Sequence, residues 1–575
     1  MTKLKKKKSK KRSQALLSLQ DLDSAEGFAR FLAGVKEHGS QWIPSTDYLW
    51  GLDEVLVGTD LEVLAKTGSR MNAKSVARVR EWLSCGISLT RSQIPNDFAS
   101  AYQVLLAVNV MASFPDRFAA VDFQAVFGEL KELLSADDTD LMFDDPATQQ
   151  ILYAELPLTV GLRFAILEEA AEFLSQARGK LGTAIEELLD GDGLPNARYV
   201  PVAPVLLAVW TRCQRISDLA NTECFDLEIQ TQYEFFVRQM MRLMRKDGTG
   251  TFSDGEANLK PILQAALGCY HDEEDAAIAS IVLSKSKNGK PSLHSLPEPS
   301  VNSEWGELAV LQTEWLPKLP RLAVSYQNRQ IQAELSSGHC LFRGGMRTDW
   351  NLDGEQVQPT SDWEVVCWHS DQDGDFLELE CELQEGVKWQ KHFLLARNEL
   401  FLLASDVLLG NRPMHIDFTT SWMLDPATGF GVAADTNEIF LTRKSRTHAA
   451  VLPIGMPEWK VARTGHSLEM DPAGLRVGTE AHGAACYAPL FIDLDPKRCR
   501  QPLTWRQLTV AEKLKIVPES EAVAYRVHVG DQQWLIYRSL VAPASRTVFG
   551  QNLAVEFYVG TFEEDGTCCE IISVD

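Results

Sequence analysis

The chain has 575 residues, 45% hydrophobic and 23% charged, which is enough apolar material for at least two cores. Its formal charge is −23, yet Lys3, Lys5 to Lys8, Lys10, Lys11 and Arg12 place eight positive charges in the first twelve positions. The remaining body is strongly acidic, which argues against general nucleic-acid binding, because phosphate contacts need clustered Lys and Arg. No stretch approaches the roughly 18 apolar residues of a membrane span.

Residues 1–13 read as a solvated, disordered basic tail, with binding of an anionic partner as its other use. The segment after Arg12 is amphipathic and soon acidic, unlike a secretory leader. Eleven cysteines occur without a C-x-x-C pair, and several sit in apolar runs. This predicts reduced thiols and a cytoplasmic location.

Over residues 14–283 the apolar residues recur at helical spacing. Phe123, Val126, Phe127, Leu130, Leu133 and Leu134 form one stripe; Leu206, Val209, Trp210 and Cys213 form another; Phe236, Met240, Leu243 and Met244 form a third. Each stripe predicts a helix that buries one face against another helix. Residues 284–304 are polar, Pro-containing and aperiodic, and read as a linker. From 305 to 575 the period falls to two. Leu377, Leu379, Cys381 and Leu383 alternate with glutamates, and Val523, Tyr525, Val527 and Val529 lead through Gly530-Asp531 into a further strand. This predicts antiparallel strands in a large β-sandwich.

Standard serine-hydrolase, zincin, P-loop and dinucleotide motifs are absent. Asp371, Asp373, Asp375 and Glu382 fall at calcium-loop spacing, but Phe376 occupies the position that needs glycine for the sharp turn, so a hairpin turn is predicted.

Three segments carry a resemblance. Leu189-Asp-Gly-Asp-Gly-Leu-Pro195-Asn196-Ala-Arg198-Tyr199 is followed by an apolar helix; Met241-Arg-Leu-Met-Arg245-Lys246-Asp247-Gly248 leads to Phe252-Ser-Asp-Gly255; and Ser361 to Leu424 holds Trp368-His369, Trp389 to His392, Leu400 to Asp406 and His415-Ile-Asp417. In order and spacing these resemble the heparinase II/III-like polysaccharide lyases, over nearly the whole chain from about residue 30. The resemblance implies a multidomain α + β protein: an N-terminal incomplete (α/α) toroid followed by a C-terminal antiparallel β-sandwich. It also implies β-elimination on an acidic, uronic-acid-containing polysaccharide or oligosaccharide. That reaction needs a donor to neutralise the carboxylate, a base for the α-proton and an acid for the leaving oxygen.

The departures fall on histidines. Pro195, Lys246 and Asp417 stand where the family pattern has His. Candidates to take over are Asn196 and Arg198 on the carboxylate, Tyr199 as base, and His369 as a further group. Asn196 is equally an N-cap, Tyr199 a packed aromatic and Arg198 a loop brace. These departures also support the alternative of a non-catalytic glycan-binding or scaffold protein. Some family members hold a structural zinc in the β-domain, and His392, Asp406 and His415 are the candidate ligands here. Their fitness turns on strand register. A three-residue loop at Arg397–Glu399 sets His392 opposite Ala404 with Asp406 on the same face; a two-residue loop sets it opposite Leu403 with Asp406 facing away.

Overall fold

The computed structural model describes residues 16–38, 45–52, 77, 80, 98–135, 145–253, 257–283, 296–462, 464–563 and 566–575. The basic tail and most of the expected linker lie outside them. The chain divides into two units. One comprises Met1–Pro195, Pro201–Met240 and Gly248–His271; the other comprises Asn196–Val200, Met241–Asp247 and Asp272–Asp575. The second unit therefore includes three pieces of the helical half of the sequence, the third carrying the helix Glu273–Val282, which the boundary expected at residues 284–304 does not anticipate.

The first unit is helical among its described residues. The three predicted stripes fall on helices at Ala120–Ser135, Ala203–Leu219 and Leu227–Arg242, except that Leu243 and Met244 of the third lie just past the helix end. Phe31, Phe123, Phe127 and Phe164 meet edge-on and stacked, with ring centres 5.0 Å apart for Phe31–Phe123 and for Phe127–Phe164. Ala203–Leu219 is buried nearly all round, so its polar groups need partners inside the unit. Arg212 makes two 2.7 Å hydrogen bonds to Glu155 and lies over the rings of Tyr48 and Tyr102, while the Trp210 indole donates to Gln150 at 2.9 Å.

The second unit is dominated by antiparallel strands, in sheets of fifteen, five and four. The largest sheet is centred on three long neighbours, Cys340–Leu352, Phe401–Leu424 and Gly474–Asp493. A second core joins this sheet to the five-stranded one: Phe401 and Phe491, 4.6 Å apart, pack with Trp534 at 5.3 Å from each. The predicted hairpin at Gly530-Asp531 joins Ala522–Val529 to Gln532–Ser539, with Gly530 at φ +60°. The Asp371 segment is a hairpin turn as well. Its carboxylate accepts from the Asp373 and Gly374 amides at 2.8 and 3.0 Å. Ten cysteines are free among the described residues, and no described helix is long and apolar enough to cross a membrane.

Candidate functional site

The site is built on the loop that follows the helix Ala170–Leu188. Asp190 organises its first half, accepting from the Asp192 and Leu194 amides at 3.0 and 2.8 Å. Gly193 has φ +76°, and a Cβ there would sit 2.5 Å from the backbone of Phe235 and Phe236, so only glycine closes this turn.

Beyond Pro195 the chain joins the β-rich unit. Asn196 caps a short 3₁₀ turn, Ala197–Tyr199, by accepting from the Arg198 amide at 3.2 Å. Its amide nitrogen donates to the Trp305 carbonyl at 3.0 Å, and the Ala197 amide donates to Gly306 at 2.7 Å. Asn196 thus spends both ends of its side chain on holding the loop, the capping role its sequence context allowed. Arg198 is exposed, with its guanidinium carbon 4.4 Å from the centre of the half-buried Tyr199 ring. The exposed cation therefore lies over the ring of a phenol that is itself partly open to solvent.

The turn that receives Asn196 contributes two groups not singled out from sequence. Trp305 is 50% exposed. Glu307 has its carboxyl raised above the usual range by burial and by Asp362, with Arg198 acting in the opposite direction. A lone tryptophan in a Trp-Gly-Glu turn between two strands was the signal available for them. The second resembling segment is pinned rather than presented. Arg245 pairs with Glu334, and Arg321 donates to the carbonyls of Arg242 and Met244 at 2.7 and 3.0 Å.

His369 is placed apart from this group. It lies exposed near the far end of the strand Glu364–Ser370, bonded to Asp371 at 3.1 Å. Asp362, which acts on the same Glu307 carboxyl as Arg198, precedes that strand. Seven residues of extended chain separate Asp362 from His369, about 20 Å.

The three candidate zinc ligands are also separated, which corrects the expected trio. Ala396 pairs with Phe401, so the connecting loop has four residues, and His392 faces Ser405. Neither anticipated loop forms, and Asp406 points to the opposite face of the sheet. There its carboxylate accepts from Trp389 at 2.9 Å, Lys391 at 2.6 Å and Thr420 at 2.8 Å. His392 is buried between Phe376 and Phe557, and burial pushes its pKa down. His415 lies nine residues further along the strand from Asp406, past a bulge, exposed and bonded to Glu480 at 3.1 Å. Among the described residues no group of three His, Cys, Asp or Glu has metal-holding geometry, and these three do not fit zinc.

No family model matches the sequence, and no curated protein matches it. Solved structures do match. One is a heparinase III crystal structure, at TM-score 0.59 and 10% identity, covering 84% of this chain and 82% of the other. Another is a mutant of the heparan sulfate lyase HepC from Pedobacter heparinus, at TM-score 0.56 and 12% identity, with the same coverages. A third, a heparinase III gene product, matches at TM-score 0.55 and 12% identity, covering 84% and 80%. With helices first, antiparallel sheets second, and four-fifths or more of each chain aligned, this protein has the fold of the heparinase-type polysaccharide lyases.

Proposed function

We propose that the chain is a carbon–oxygen lyase that cleaves a uronic-acid-containing polysaccharide by β-elimination, on an incomplete (α/α) toroid and a β-sandwich. The observation that carries this reading is the contact of the exposed Arg198 with the partly exposed Tyr199, on a loop fixed by Asn196 to the turn of the exposed Trp305. In this reading Arg198 binds the uronate carboxylate through its bidentate fork and makes the α-proton acidic. Tyr199, as phenolate, takes that proton. The C4–O bond breaks as the C4–C5 double bond forms, and the proton held by Tyr199 passes to the leaving oxygen. Trp305 offers a ring face for a sugar.

A second reading, glycan binding without cleavage, is favoured by one observation. Asn196 is tied into the loop through its oxygen and one amide hydrogen, so its side chain is held as a brace rather than left free to follow a carboxylate. The deciding experiment incubates the full chain with uronic-acid polysaccharides and follows the ultraviolet absorbance of the unsaturated uronate product. A rise abolished in both Tyr199→Phe and Arg198→Ala supports the lyase. No rise on any substrate, with binding still lost in Arg198→Ala, supports the second reading.

A further inference from the structure

The β-rich unit holds an open cavity of about 690 Å³, within the range of small-ligand sites. It lies between the strands Gly474–Asp493 of the large sheet and Leu503–Leu508 and Ala522–Val529 of the five-stranded sheet. No residue of the Asn196–Tyr199 loop lines it. One wall is aromatic, with the Tyr487 and Tyr525 rings 6.3 Å apart. The Tyr487 hydroxyl is bonded by Ser405 at 3.0 Å. Tyr525 is only 4% exposed, and its hydroxyl has no hydrogen-bond partner among the described residues. That hydroxyl is not sealed in the core but keeps surface open to the cavity, where it is available to donate to or accept from a group that enters.

The remaining lining groups set the chemistry of the occupant. Glu480 and Glu519 are acceptors, and His466 and His482 are imidazoles. His466 is anchored through Nδ1 to Thr479 at 3.2 Å, and burial pushes its pKa down, toward the neutral ring. With Glu458, three carboxylates line the cavity against the single guanidinium of Arg506, which repels an anionic ligand. Acceptors, imidazoles and a phenol around one space suit hydroxyl groups, each of which donates and accepts. Trp459, 55% exposed at the cavity, adds a ring face.

We propose that this cavity is a second carbohydrate site, independent of the Arg198–Tyr199 pair, which takes a short neutral oligosaccharide without carboxylate or sulfate groups. The test titrates the full chain with cellotriose, maltotriose and chitotriose, and separately with trigalacturonate and spermidine, by calorimetry and tryptophan fluorescence. The expected result is saturable one-to-one binding of at least one neutral trisaccharide. That binding should weaken roughly tenfold or more in Tyr525→Phe and in Glu480→Gln, each lost bond to the ligand being worth about 1–3 kcal/mol. It should persist in Arg198→Ala, which separates this site from the proposed elimination. Circular dichroism checks that each variant is folded. The proposal is overturned by no neutral binding up to about 10 mM, by unchanged affinity in both cavity variants, or by binding of spermidine or trigalacturonate alone.

Discussion

Arg245 grips Glu334 through two hydrogen bonds, of 2.9 and 2.6 Å, with the arginine 8% exposed and the glutamate fully buried. Arg321 approaches the same carboxylate at 3.4 Å and also takes the carbonyls of Arg242 and Met244. The Glu334 carboxylate thus serves two buried guanidinium groups, on which Asp247 also acts, and ties Met241–Asp247 to the sheet. Removing it takes from both buried cations the carboxylate that Arg245 grips directly. Glu334→Ala is therefore expected to cost about 3–5 kcal/mol, read as a lower denaturant midpoint. A loss under about 1 kcal/mol would mean that the packing around Arg321, not the ion pair, holds this segment.

Gly193 makes a sharper claim about the site loop. Alanine there meets the Phe235–Phe236 backbone at 2.5 Å and also needs a left-handed residue. Gly193→Ala is expected to destabilise by about 2–4 kcal/mol and to reduce any activity that depends on Arg198 and Tyr199. Gly191, two residues away, has nothing within 4 Å of its would-be Cβ and no positive φ. Gly191→Ala should be close to neutral in the same thermal melt, and equal losses in the two variants would refute the packing argument.

What the sequence made legible, and what it did not, follows from the range of the forces involved. The change from helical to alternating period near residue 300 is a local signal, and it marks the change from helices to strands correctly. The helices around Phe123, Trp210 and Phe236 were readable for the same reason. The assignment of Asn196–Val200 to the β-rich unit was not readable, because it rests on hydrogen bonds such as Ala197 to Gly306 that span more than a hundred residues. The register of His392 depended on one loop residue. Leu400 takes φ +52°, lengthening the loop to four, in a conformation that a sequence rarely signals without glycine or asparagine. Lys391 was equally hidden, since it is a fully buried cation made tolerable by its Asp406 partner and the Trp389 ring.

His392 gives a pH dependence whose sign can be worked out. Its ring is buried, neither nitrogen has a hydrogen-bond partner, and the Glu378 carboxylate stands 3.4 Å from Nε2. Burial holds its pKa below the unfolded value of about 6.5. The unfolded chain then binds the proton more readily, so the His392 contribution is complete above about pH 6.5 and is lost as pH falls below it. Asp375 and Asp493, raised by burial, act in the opposite direction. The comparison must therefore be between variants. The urea midpoint of His392→Leu should fall less steeply between about pH 6.5 and 5 than that of the wild type. Parallel slopes would show that His392 takes up its proton as readily in the folded protein as in the unfolded chain.

The separated ligand trio leads to a metal prediction that depends on no catalytic assumption. A bound ion stabilises the folded chain only through a site that the fold presents. Asp406 already accepts from an indole, an ammonium and a hydroxyl, and a metal there would have to displace Lys391 against its own charge. His392 lies on the other face of the sheet, and His415 is about 20 Å further along the sheet, six residues of the paired strand away. Zinc at several times the protein concentration, or a chelator, should therefore leave the melting temperature unchanged. Asp406→Asn should lower it with or without zinc, because it strands the Lys391 ammonium in the core. A zinc-dependent rise of several degrees that disappears in Asp406→Asn and in His392→Leu would show that the two residues can meet, and that the register of the strands Val387–Ala396 and Phe401–Leu424 shifts to let them.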